Sequence, residues 1–171
     1  MPTPTGPVPA SPDDPADRAA LVAHASALAD QAEAALPGWV VRAVEDRHAH
    51  SAGQPAPPEV RTQAQAAGEE AAREVGGQVR ELLGRDVDEQ ATGPLALLRG
   101  AVRYPTAVLV AAGVAPLARD DAAVRIHPDD LYDLAPASFA DIDPSLQEAG
   151  IVWGAAKAHV VLARRRREGL R

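Results

Sequence analysis

The chain has 171 residues, a net charge of −7 and no cysteine, and only 3% of it is aromatic although 46% is hydrophobic. The missing thiols exclude disulfide frameworks, thiol catalysis, Cys-ligated zinc and iron–sulfur clusters. A chain of this length buries enough surface to fold without covalent staples, and its alanine content favours helix while offering little area per residue to a core.

The N-terminal segment carries six prolines in its first fifteen residues, from Pro2 to Pro15. Residues 1–13 are therefore expected to form an extended, disordered arm. They contain neither a basic cluster nor an apolar stretch of the kind that marks a secretion signal. A single helical domain, residues 14–171, is expected to follow and to end in a basic tail.

Asp14 before Pro15, with Asp17 in the first turn, is a helix start. Leu21, Ala25, Leu28, Ala32 and Ala35 recur at spacings of four and three and share one face. Pro37-Gly38 predicts the end of that helix, and a second, shorter one is expected from Trp39 to about His48. Residues 51–58, SAGQPAPP, read as loop. A third helical pattern runs from Glu59 to Leu83, with Gly76-Gly77 marking a kink or a close helix contact. Thr92 and Pro94 open a fourth helix that Pro105 breaks or bends. The most apolar run, Thr106 to Ala118, is shorter than the roughly 20 residues a membrane span needs and is interrupted by Pro116. Asp143-Pro144 caps a last helix from Ser145 to about Arg167. No period-2 strand pattern appears, so the expected fold is all-α, a bundle of about five helices with an irregular segment before the last.

That irregular segment concentrates unusual residues. His127, Asp129, Asp130, Tyr132, Asp133 and Asp141 fall within it, with Asp143 and His159 beyond. Histidine and carboxylate groups suit a divalent ion, but the spacing fails as a calcium loop: starting from Asp141, Leu146 stands where the turn glycine belongs and Val152 where the bidentate glutamate belongs. Structural capping accounts for the same residues, Asp143 as an N-cap and Ser138 with Asp141 as a capping box. No metal and no cofactor are therefore expected.

No nucleophile elbow, HExxH or glycine-rich phosphate loop is present. On the last helix, Trp153 and His159 lie roughly 120° apart, and His159 and Lys157 about 160° apart, so no acid–base group forms on one face. Gly150, Gly154 and Ala158 make a row of small residues that suits close packing against an alanine-rich helix, with self-association as the secondary reading.

The last eight residues hold five arginines against Glu168, a local charge of +4, which leaves −11 for the rest. Arg164, Arg165, Arg166 and Arg167 could meet phosphates or an acidic protein surface. Four consecutive residues sweep about 300° of a helix, which predicts that the helix has left the body there or has frayed. No aromatic is interleaved for base stacking.

These features together predict a non-enzymatic, cytoplasmic interaction or regulatory protein. Its partner is expected to be a protein, met through His127, Asp129, Asp130, Tyr132, Asp133, Asp141 and the arginines 164–167. The alternatives are a metal- or acid-dependent small-molecule enzyme using the 127–159 block, and a phosphate or nucleic-acid contact through the tail.

Overall fold

The computed structural model describes residues 14–114 and 134–169. The N-terminal arm 1–13 and the segment 115–133 lie outside the described residues. Those described form an all-α bundle without strands, and none of their helices is long and apolar enough to cross a membrane. The α-helical segments are α1 (Pro15–Ala52), α2 (Pro58–Ala71), α3 (Gly77–Gly84), α4 (Pro94–Arg99), α5 (Arg103–Ala111) and α6 (Pro144–Arg167).

α1 starts where the sequence places it, with the Asp14 carboxylate accepting from the Ala16 amide at 2.9 Å. It does not end at Pro37-Gly38. The helix runs through both residues to Ala52 and closes on Gly53, whose φ of 68° puts it in the left-handed region. The expected break between two helices is therefore corrected to one 38-residue helix. The reason lies in the buried face: Leu28, Ala32, Leu36, Val40 and Val44 keep their spacing of four straight across the proline. A helix-interior proline costs about 3 kcal/mol. Burying Leu36, Trp39, Val40 and Val44 returns about 1.5–3 kcal/mol each, so the continuous helix wins.

The second helical body carries the expected irregularity. α2 passes into a π-helical turn, Ala72–Gly76, and emerges as α3 without leaving the helix direction. Gly76 sits against α1, and a Cβ there would lie 2.5 Å from Glu33 Cγ. Gly68, one element earlier, meets backbone atoms instead of a side chain. A Cβ on it would stand 2.8 Å from both the Pro37 Cα and the Pro37 carbonyl oxygen. Backbone meets backbone where α1 and α2 cross.

α4 begins at Pro94 without a side-chain cap, since Gly93 rather than Thr92 occupies the cap position. The bend caused by Pro105 appears four residues upstream, where Gly100–Val102 tighten into a 3₁₀ turn before α5. Proline lacks an amide hydrogen and crowds the carbonyl of residue 101, so the preceding turn must rearrange. Tyr104 and Arg103 at the start of α5 both bond the Glu74 carboxylate on the π-turn, which ties this body to the second one. The main apolar cluster joins Leu28, Leu36, Trp39, Val75, Val79, Leu98, Ile142, Leu146 and Trp153, drawn from all four bodies.

α6 starts on Asp143, which accepts from the Ser145 amide at 2.9 Å, and packs on α1 and on the 3₁₀ turn Phe139–Asp141. The Gly68 geometry sets a test. Gly68→Ala should destabilise the protein by about 1–3 kcal/mol, because neither Pro37 backbone atom can yield. Gly77→Ala, with open space around its Cβ and a helical φ of −59°, should stabilise it by about 0.5–1 kcal/mol. Urea denaturation of both variants measures the two effects.

Candidate functional site

Of the residues expected to make the contact surface, Asp141 and Arg164–Arg167 fall among the described residues. His127, Asp129, Asp130, Tyr132 and Asp133 lie outside the described residues. Asp141 completes the capping box, one carboxylate oxygen accepting from the Ala137 and Ser138 amides at 2.7 Å each. The chain around it is fastened from outside as well. Arg99 donates to the Pro136 and Ala137 carbonyls, and Arg42 to that of Ile142 at 2.8 Å. The 136–143 stretch is thus held to the bundle by arginines on α1 and α4.

His159 pairs with Asp17 on α1 at 3.1 Å. Lys157 turns the other way, over the Trp153 ring at 5.1 Å, and donates to the Gln90 side-chain carbonyl at 2.8 Å. Among the described residues no three histidine or carboxylate groups converge as metal ligands would. In the row of small residues, Gly150 receives the Phe139 ring, not an alanine-rich helix, and a Cβ on Gly154 would meet nothing.

The tail differs from expectation at its first residue. Arg164 still lies against the body, its side chain only 19% exposed, because α6 remains packed at this level. Its guanidinium grips Asp86 at both oxygens, at 2.8 and 3.2 Å, and also bonds Asp88. Arg165, Arg166 and Arg167 are exposed. The Asp86 carboxyl is pulled from the usual 3.8 to about 2, first by the Arg164 hydrogen bond and then by the Asp88 amide. Those carboxylates raise the Arg164 pKa in turn.

This ion-pair cluster closes one end of a cleft of about 400 Å³ between α1, α3 and α6. The floor is apolar, made by Leu21, Ala25, Ala29, Leu83, Trp153 and Val160. Arg18, Arg80, Arg85, Arg164 and Asp86 border the opening. Arg80 is held by Asp30 and Glu33 at 2.7 and 2.8 Å, Arg85 by Glu81, and Arg164 as above. A volume of this size, apolar within and polar at the edge, falls in the range of pockets that hold small ligands or side chains. A depression of similar volume over Pro37, Val41, Gln65 and Glu69 is walled by α1 and α2 only.

One sign of this cleft exists in the sequence. Leu146, Gly150, Trp153, Lys157, Val160 and Arg164 repeat at four and three and form the inner face of α6. Two cations inside that row require partners on the body, which the 86–90 loop supplies. The cleft itself combines segments more than fifty residues apart, and no periodicity in one segment announces it. Comparison with protein-family models, with curated proteins and with solved structures finds no match to this chain.

The Arg164–Asp86 pair gives a pH dependence. Asp86 has a lower pKa folded than unfolded, so its contribution to stability is complete above about 3.8 and fades as the pH falls toward 2. Arg164→Gln should return the Asp86 titration toward 3.8 and flatten the acid limb of stability over that interval. Carboxyl-carbon NMR titration together with denaturation at several pH values reads both changes.

Proposed function

We propose that the protein is a non-enzymatic cytoplasmic interaction protein, and that the cleft between α1, α3 and α6 receives an apolar side chain from a protein partner. The apolar floor under an ordered arginine rim carries this reading. Interfaces are anchored by large side chains entering such desolvated pockets, with polar groups around them excluding water. The carboxylate in the lining, Asp86, is kept ionised by Arg164. That state suits a fixed wall better than proton exchange, which favours binding over acid–base chemistry.

The arginine-rich end of α6 adds the second element of recognition. Arg165, Arg166 and Arg167 follow Arg164 at the border of the cleft, so carboxylates beside the partner's apolar anchor would find cations nearby. The partner segment should therefore combine one bulky apolar residue with flanking acids. Phosphate contact through the tail alone is less supported, because Arg164 is already saturated by two carboxylates.

Peptide display against the purified chain tests the proposal, with Ser26→Trp as the blocked variant. Ser26 lines the cleft wall but is exposed, so a tryptophan there fills the opening without entering the core. Selected peptides should carry an aromatic or leucine anchor with nearby acids, and Ser26→Trp should weaken them at least about tenfold. Peptides that bind the variant as well as the parent would overturn the assignment of this cleft.

A further inference from the structure

The outer face of α6 presents an apolar row that no described element covers. Ile151 and Leu162 are 61% and 52% exposed, and Ala155 and Ala158 between them are exposed too. The spacing from 151 to 162 is four, three and four, the repeat of a coiled-coil seam. α6 is otherwise two-sided. Leu146, Trp153 and Val160 face the bundle, roughly opposite this row. α6 packs on α1 and the 139–141 turn, and among the described residues its outer face is left open.

The charges at the two ends of the row are complementary. One heptad position before Ile151 stands Glu148, and one after Leu162 stands Arg165, both exposed. Neither has an ion-pair partner among the described residues. The arrangement is antisymmetric about a point between Ala156 and Lys157. Turning a second α6 end for end about that point sets Ile151 against Leu162, Ala155 against Ala158 and Glu148 against Arg165 of the other copy. Every layer then occurs twice, once on each side of the two-fold axis. That is the self-complementarity an isologous contact requires. A parallel arrangement would instead place Glu148 on Glu148 and Arg165 on Arg165, like on like. The small residues at the centre, with open space at Gly154, let the two helices approach closely.

We infer that α6 is a self-association surface, pairing antiparallel with the α6 of a second copy through Ile151, Ala155, Ala158 and Leu162, with Glu148 and Arg165 setting the direction. The contact spans about 26 Å of helix and is small, so the association is weak and concentration-dependent. Its apolar row lies on the face of α6 opposite the one that lines the cleft, and Arg165 is the one residue it shares with the contacts proposed there.

Sedimentation equilibrium of the full chain from about 10 µM to about 1 mM covers the range that a small interface requires. Reversible dimerisation is expected, weakened at least about tenfold by Leu162→Glu and by Glu148→Arg. Glu148→Arg combined with Arg165→Glu should restore the parental constant to within about twofold, because the swapped charges meet again across the axis. All three positions are exposed, and circular dichroism checks that each variant stays folded. A chain that remains monomeric throughout overturns the inference. So does a dimer indifferent to Leu162→Glu, which would use another face, and so does a double reversal that fails to restore association.

Discussion

The approach of α2 to α1 at Gly68 and Pro37 sets the spacing on which the remaining packing depends. With no side chain at Gly68, the α2 backbone rests on the α1 backbone, and Pro37 contributes surface where it has no amide to donate. That depth brings the following turns down onto α1 as well. Gly76 then lies on Glu33, and Arg80 reaches both Glu33 and Asp30. The π-turn between Ala72 and Gly76 adds one residue per turn at the level where the helix must pass over Glu33. Held farther out by even one methyl group, α3 would lose the position from which it forms a wall of the cleft.

The cleft is a consequence of alanine. α1 supplies Ala25, Ala29 and Ser26 where Leu83 of α3 and Trp153 of α6 come down on either side. Short side chains cannot fill the volume between bulky ones, so the helices meet at their edges and leave a hollow. In a core rich in leucine the same backbone would close over. Ion pairs join separate walls of the hollow, Arg80 on α3 with Asp30 and Glu33 on α1, and Arg164 on α6 with Asp86. These are largely exposed pairs, and their role is to position side chains more than to add stability.

α6 illustrates why one sequence can support two contacts. Its inner row of Leu146, Gly150, Trp153, Lys157 and Val160 packs on the bundle, and its outer row of Ile151, Ala155, Ala158 and Leu162 repeats with the same alternation of four and three. Apolar residues on two faces blur the usual contrast between a buried and a solvated side. The contrast returns once α1 is seen to occupy one face.

The sequence by itself determined the helical class, the starts of α1 and α6 and the capping box at Ser138 and Asp141. These depend on local rules, in which a short side chain bonds amides two or three residues away. It also marked Gly76-Gly77 as a place of irregularity, though not as a π-turn. Tertiary structure decided what local rules could not weigh. Pro37 reads as a helix end because its cost is local, whereas the four apolar side chains that offset it are buried only when α2, α5 and α6 have docked. Arg164 reads as a solvated tail residue for the same reason, since Asp86 and Asp88 lie some eighty positions earlier. The cleft joins three separate stretches of chain across a gap left by small residues, and only the packed bundle brings its walls together.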